Sequence, residues 1–432
     1  MEHKQLHADA VGLLQQLVRV PSFSREEERT AGIIEEWLRE KLSGPSRRAG
    51  AQTDILRHGN NVCIRNLHFD PERPTILLCS HHDTVRPSGT WTRDPFDGAI
   101  ESTFDTAIDG GEEGPESGEK APKSSPESLQ KARLHGLGSN DAGASAVSLA
   151  AAFRHFYERN DLKYNLILAL VGEEEISGPG GVRSILPLLG LATETTPETD
   201  NKTALETNDK PSSKTANSLN TNNIPHPTGA PVLAIVGEPT GMQLAIAERG
   251  LMVLDCVAAG RSGHAARDEG DNAIYHAIKD IEWFQNYRFP RKSPIFGELK
   301  MSVTMISAGT QHNVVPAECR FTVDCRVTEQ YTNEEVLEIV CQHITSTVTP
   351  RSLHLRSSSI SPDHPIVQAG IALGLNTFGS PTTSDQVALT MIPSVKVGPG
   401  QSSRSHAADE YIELTEIQQG IELYIKLLDQ IL

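Results

Sequence analysis

The 432-residue chain has no basic surplus, no closely spaced cysteine pair and no apolar run long enough to cross a bilayer. Each absence removes a class of function. A formal net charge of −17 argues against nucleic acid and anionic membrane as partners, because both demand a basic surface. Residues 101–131 alone hold eight acids against three bases, or −5 of that charge. The six cysteines (Cys63, Cys79, Cys256, Cys319, Cys325, Cys341) lack CxxC spacing, and several sit in strand-like apolar runs. They read as buried free thiols of a reducing compartment, not as a disulfide frame or a Cys-zinc site. The first eighteen residues, MEHKQLHADAVGLLQQLV, carry charges and a helical apolar repeat where a signal peptide needs a continuous apolar core. Cytoplasm is the expected location. No internal repeat is evident.

What is present is a chain of ordinary globular composition, 38% hydrophobic and 22% charged, long enough for two domains. Helical spacing of apolar residues marks Leu6 to Val20 and Arg25 to Leu42, on either side of Pro21. Apolar runs at Thr75 to Ser80, Asn165 to Val171 and Val232 to Val236 are buried strands of a sheet covered on both faces. Ala142 to Tyr157, Gly180 to Leu189 and Thr415 to Leu432 read as helices. Two segments, 101–131 and about 192–229, are rich in Ser, Thr, Asn, Glu and Pro; too poor in apolar residues to offset their ordering entropy, they are expected to be surface loops.

From Glu248 the pattern changes to strand (Leu251 to Ala259), helix (Asn272 to Tyr287), strands (Lys300 to Ser307, Glu318 to Val327), helix (Asn333 to Ser346) and strand (Ser352 to Arg356). That β-α-β-β-α-β order is a ferredoxin-like unit. The predicted architecture is an α/β/α three-layer catalytic domain over residues 1–245 and 360–432, interrupted by a ferredoxin-like domain over 246–359.

Five segments end in metal-binding side chains where a strand should stop: His81 and Asp83 in LLCSHHDTV, Asp141 in GLGSNDAGAS, Glu174 and Glu175 in LALVGEEEISG, Glu238 in LAIVGEPTG, and His406 in SRSHAADEY. Two dications sharing a bridging carboxylate need two His, three Asp/Glu and a further free carboxylate to carry a proton. The inventory suffices. Taken singly, the members have plain alternatives: a strand-end turn for His81 and Asp83, a helix cap for Asp141. Three adjacent glutamates after a buried strand are harder to explain without cations, since they repel one another. His82 competes with His81, but alternation at a strand end should turn its side chain away.

In this order the motifs at His81, Asp141, the three glutamates, GEPT, GxxxHAA, NVVP and HxADEY resemble the zinc-dependent acetylornithine deacetylase, succinyl-diaminopimelate desuccinylase and carboxypeptidase G family, a zinc-peptidase-like fold with a dimerisation (lid) domain. The resemblance covers the chain apart from the two polar segments. It implies that His81 and Glu238 hold one metal, Glu175 and His406 the other, with Asp141 bridging. Glu174 would be the general base and acid, and Asp83 the orienter of His81. The expected cofactor is a pair of divalent ions, zinc first and cobalt also accepted. In GRSGHAARDEGDNAI, His264 resembles the histidine that crosses from a partner subunit to polarise the scissile carbonyl, which implies a homodimer; a surface loop histidine is the plain alternative. Asn313 in HNVVP resembles a substrate- or oxyanion-binding residue. Arg326 in VDCRV resembles the cation for a substrate α-carboxylate, a strand arginine in a surface ion pair being the alternative. Ser80, Ala142-Gly143-Ala144 and Ser177 depart from the family pattern without removing a ligand.

The expected activity is hydrolysis of a small N-acyl amino acid, with acetylornithine-type substrates of arginine biosynthesis first. Succinyl-diaminopimelate comes next, then a dipeptidase or carboxypeptidase. A non-catalytic relative that keeps the fold is the alternative of another class, opposed by the intact ligand set.

Overall fold

The computed structural model describes residues 3–43, 55–102, 132–191, 229–267 and 269–432. Apart from their end residues, both polar segments, 101–131 and 192–229, lie outside these. Among the described residues the largest sheet has nine strands in the order Ile55–His58, Asn61–Arg65, Asn165–Val171, Thr75–His81, Pro231–Gly237, Ser394–Lys396, Leu244–Glu248, Ser358–Ser359, with Thr377–Ser380 also on Leu244–Glu248. Its centre is parallel, with Thr75–His81 between Asn165–Val171 and Pro231–Gly237.

The alternation of side chains along these strands builds two cores. Ile76, Leu78, Leu166, Leu168, Leu170, Leu233 and Ile235 face one cluster. Leu77, Cys79, Ile167, Ala169, Val171, Ala234 and Val236 face the other. A strand buried on both faces needs no polar residue, so it reads as a continuous apolar run. The first face is covered by helices His3–Val18, Ala144–Phe156 and Leu414–Asp429. Ala144–Phe156 is wedged between its neighbours, and its run of small buried residues (Ala144, Ala146, Ala150, Ala151, Ala152) lets them approach. The second face has a thinner cover. Where a helix over Gly180 to Leu189 was predicted, the chain forms only Val182–Ile185 and a 3₁₀ turn Pro187–Leu189. Gly180 and Gly181 delay the start, and Pro187 lacks the N–H that would continue the ladder.

The inserted unit is a four-stranded antiparallel sheet, in the order Lys300–Ala308, Glu318–Val327, Gly250–Ala259, Thr347–Pro350, with helices Ala273–Asn286 and Asn333–His343 on its core. This is the β-α-β-β-α-β topology. The second helix begins with a capping box between Thr332 and Glu335. One strand differs from expectation: the last one is Thr347–Pro350, and Ser352 to Arg356 forms no strand. Thr347–Pro350 is an edge strand, where a terminal proline costs no ladder bond. The chain leaves the large sheet at Glu248 and re-enters it at Ser358, which pair with each other. No disulfide is present among the cysteines, all of them free; five are buried, whereas Cys341 is exposed rather than buried as the sequence had suggested. Among the described residues no helix is long and apolar enough to cross a membrane.

Candidate metal centre

Register alone brings the acidic motifs to one edge of the sheet. His81 pairs with Val171 and Ser80 with Gly237. The turn beginning at Gly172 and the residue after Gly237 therefore emerge beside His81, placing Glu174, Glu175 and Glu238 at the carboxyl ends of parallel strands. That is where α/β sheets present ligands. Asp141 and His406 arrive from a second, three-stranded sheet, in which Tyr411 pairs with His135. Glu410 joins these two segments. Nearly fully buried, its carboxylate accepts N–H bonds from Gly138 (3.1 Å), Asn140 (2.8 Å) and Asp141 (2.9 Å). The loop before His406 is tied to the same turn, because Asn140 donates to the Gln401 carbonyl at 3.0 Å and accepts from the Gln401 N–H at 2.9 Å.

The Nε2 of His81 looks onto three carboxylates: Asp141 Oδ1 at 3.4 Å, Glu238 Oε1 at 3.6 Å and Glu174 Oε2 at 3.7 Å. His406 Nε2 lies 2.9 Å from Glu175 Oε2 and 3.7 Å from Asp141 Oδ2. Asp141 thus offers one oxygen to each imidazole. On its other side, His81 Nδ1 meets the Asp83 carbonyl at 3.1 Å and Asp83 Oδ1 at 3.4 Å. Asp83 is itself fixed by Ser24 Oγ (2.7 Å) and by the N–H groups of Glu174 (3.1 Å) and Glu175 (3.2 Å). Its carboxylate both orients His81 and shapes the glutamate turn. His82 points the other way, with Nδ1 3.0 Å from Thr30 Oγ1 and Nε2 3.0 Å from the Asn60 carbonyl.

Electrostatically this is a crowded set of buried acids. Burial raises Glu174 well above the ordinary carboxylate range; His81 opposes this, and the carboxylates of Glu238, Asp385 and Glu175 add to it. Glu238 is pushed up to about 8, again mainly by burial. For Asp141 and Asp83 burial acts upward too, but the adjacent His81 imidazole carries both below the usual range. Burial works to lower His81, yet the surrounding acids hold it well above an ordinary imidazole. His406 is raised to about 9, first by its bond to Glu175.

The donor set fits divalent metal. Two groups of ligand atoms, His81 with Glu174 and Glu238, and His81 with Asp141 and Glu175, lie within 4.8 Å of one another. Ligands about 2.0–2.1 Å from a shared tetrahedral ion sit roughly 3.3–3.4 Å apart. The separations of His81 Nε2 from Asp141 and Glu238, 3.4 and 3.6 Å, are close to that value and too long for hydrogen bonds of normal strength.

Comparison with known proteins bears on this arrangement. Residues 246–350 match the family described as the peptidase dimerisation domain of M20 peptidases. Over 98% of its length, and 98% of the other chain, the structure superposes on a dinuclear metal-binding peptidase of the M20 family from Bacillus subtilis, with a TM-score of 0.61 and 15% identity. The chain has the M20 peptidase fold, with its dimerisation domain. Aminopeptidase PepT of Bacillus cereus has the same fold, with a TM-score of 0.63, 14% identity and 98% of each chain covered. Among curated sequences, a succinyl-diaminopimelate desuccinylase of Parvibaculum lavamentivorans is 22% identical over 96% of this chain and 94% of its own. Another desuccinylase, from Ruegeria, is 24% identical over 49% of this chain and 46% of its own length. A probable carboxypeptidase of Aspergillus oryzae is 22% identical over 96% of this chain and 85% of its own.

Within the M20 fold, the remaining three candidate residues stand apart from the acidic cluster. His264 is exposed on the two-residue strand Gly263–His264, which pairs with Val314–Val315, and its Nδ1 accepts from the Ala266 N–H at 3.1 Å. Asn313 is exposed in the loop before Val314. Arg326, on Glu318–Val327, forms a two-pronged pair with Asp324 at 2.8 and 3.1 Å. Four buried charged groups close to the site, Glu410, Asp385, Glu248 and Lys396, carry no motif of their own that singled them out in the sequence. Glu410 lay within the HAADEY motif, and a buried acid beside a ligand was the available signal.

Proposed function

We propose that the chain is a metal-dependent hydrolase that cleaves the amide bond of small N-acyl amino acids. The observation that carries this reading is the double use of Asp141, one oxygen toward His81 and the other toward His406, while each imidazole has a second carboxylate of its own. His81 and Glu238 would hold one ion and Glu175 and His406 the other, with Asp141 shared. When bound, such ions supply Lewis acidity to the attacking water and the acyl carbonyl. Zinc suits this nitrogen and carboxylate set.

Glu174 is the carboxylate left for proton transfer. Its neighbours are assigned to the imidazoles, and its own affinity for protons is raised by burial among acids, as a group that takes a proton from water and returns it to the departing amine requires. Asp83 keeps His81 in one ring orientation, the supporting role usual for a ligating histidine. His264, exposed on the dimerisation domain, would reach the acyl oxygen of the partner subunit's substrate and stabilise charge developing there. A homodimer is therefore part of the proposal. An exposed apolar set on that domain, Tyr275, Ile278, Met305 and Ile306, is available for the subunit contact. Asn313 and Arg326 remain candidates for substrate binding, and Arg326 would have to exchange Asp324 for a substrate carboxylate.

For substrate, acetylornithine-type compounds follow from the motif resemblance, whereas the curated relatives named above favour a succinylated diamino acid. Both present an acyl group, an amide and a free α-carboxylate. Release of amino acid from acetylornithine, acetylcitrulline, succinyl-diaminopimelate and a dipeptide, with added zinc or cobalt and with chelator, separates these readings. Glu174→Gln should abolish turnover, a fall of about 10²–10⁴-fold or more, while two metals per chain are retained. Normal activity in that variant removes Glu174 from its role.

A further inference from the structure

Behind Glu174, on the sheet face with the thinner cover, lies a buried polar group that the hydrolysis described above does not use. Asp385, 6% exposed, opens the 3₁₀ turn Asp385–Ala388. Among the described residues its carboxylate has one hydrogen-bonding neighbour, the Cys79 thiol at 3.8 Å, and no Lys, Arg or His nitrogen lies within 4.0 Å of it. Burying a carboxylate with so little support is costly. Across from it, the Arg183 guanidinium donates, among the described residues, to the carbonyl oxygens of His354 at 3.3 Å and Ser177 at 3.5 Å. These two charges, with Glu173, Glu174, Ser177 and Ser384, line a recess of about 10 Å³. That is room for about one water molecule.

The turn bearing Asp385 is held firmly. The Glu248 carboxylate accepts from the Ser384 N–H at 2.9 Å and from its hydroxyl at 2.6 Å. Glu248 is itself paired with buried Lys396 at 2.9 Å, whose ammonium also donates to the Thr382 carbonyl at 3.2 Å. A buried ion pair adds little net stability but imposes one geometry when fully bonded.

We propose that Asp385 is a positioning residue: one ordered water in this recess donates a hydrogen bond to its carboxylate and another to that of Glu174, and so fixes the orientation of Glu174. The stoichiometry suits water, which has two hydrogens for two carboxylates and lone pairs for further N–H groups of the Arg183 guanidinium. Glu174 at the end of a turn has freedom about three side-chain bonds, and a base must stay in reach of the proton it moves. The role of Glu174 rests on the hydrolase reading; the water bridge does not.

The test is a high-resolution crystal structure of the full chain with metal, as wild type, Asp385→Ala and Asp385→Asn, alongside kinetics and metal analysis of the same proteins. The wild type should show water about 2.6–3.2 Å from both carboxylates, and Asp385→Ala should lose it and leave Glu174 in several rotamers. Metal content should be equal in all three. On the substrate the wild type hydrolyses, Asp385→Ala should lower kcat about 10–100-fold with KM within about twofold, and Asp385→Asn, which keeps an acceptor oxygen, should recover most of the loss. A recess without water in the wild type, an unchanged kcat, a raised KM with unchanged kcat, which marks a substrate contact, or lost metal would each overturn the proposal. If the wild type hydrolyses nothing, the hydrolase reading fails while the water and rotamer results still decide the bridge.

Discussion

Glu410 offers the sharpest test of how the centre is assembled, because it touches no assigned ligand side chain and yet binds the backbone that carries Asp141. Its carboxylate takes three N–H bonds at 2.8–3.1 Å in a buried setting. Glu410→Ala leaves those three donors without partners and opens a small cavity. One buried orphan donor costs about 1–3 kcal/mol, and because relaxation and water entry offset part of the sum, the expected loss is about 3–5 kcal/mol. Glu410→Gln keeps one acceptor oxygen and turns the other into a donor facing an N–H, so its expected loss is about 1–3 kcal/mol. Function should fall in step, because Asp141 is the group shared between the two imidazoles. Thermal unfolding of the chelated proteins reads the first effect, and metals retained per chain after desalting read the second. Both variants should unfold earlier, and Glu410→Ala should keep fewer than two metals. If Glu410→Ala retains two metals and unfolds within about 0.5 kcal/mol of the wild type, Glu410 does not hold the turn as described.

Two further outcomes follow from the same geometry. In the metal-free protein the pKa of His406 is about 9, raised by Glu175 from an ordinary 6.5; its stabilising contribution is therefore full below pH 6.5 and is lost as pH rises through 9. Metal must displace that proton, so calorimetry in buffers of different ionisation enthalpy should show proton release on metal binding near pH 7.5, and binding without proton release would remove this assignment. Second, His264→Ala should be folded, metal-replete and nearly inactive. Mixing it with Glu174→Gln under conditions of subunit exchange should restore about a quarter of wild-type activity, since half the symmetric dimers become mixed and each carries one complete site. No recovery, with exchange shown by mass spectrometry, places His264 outside the partner's site.

The parts of the centre that sequence made legible are those built by strand ends. A fully buried parallel strand must be apolar throughout, so the first acid or imidazole after it marks the sheet's edge, and His81, the Glu173–Glu175 run and Glu238 stand out for that reason. The outward turn of His82 followed from alternation, and its bonds to Thr30 and Asn60 agree. Lys396 and Glu248 were hidden because their meaning depends on a crossing between segments 148 residues apart, which no local pattern records. Local ambiguity accounts for other differences. Residues Thr347–Pro350 are short and polar enough to read as a turn, whereas Leu353 to Arg356 alternate like a strand yet form none, although the Leu355 carbonyl accepts from the Leu251 N–H at 2.9 Å. The hairpin of Ile55–His58 and Asn61–Arg65 turns at Gly59, whose φ of 58° favours glycine, but its strands were too brief to separate from loop.

Anomalous diffraction from crystals of the metal-loaded chain tests the central claim most directly. Two peaks per chain are expected, one among His81, Asp141 and Glu238 and the other among Asp141, Glu175 and His406, with Asp141 common to both. A single peak, peaks that exclude Asp141, or peaks away from this edge of the sheet would contradict the account.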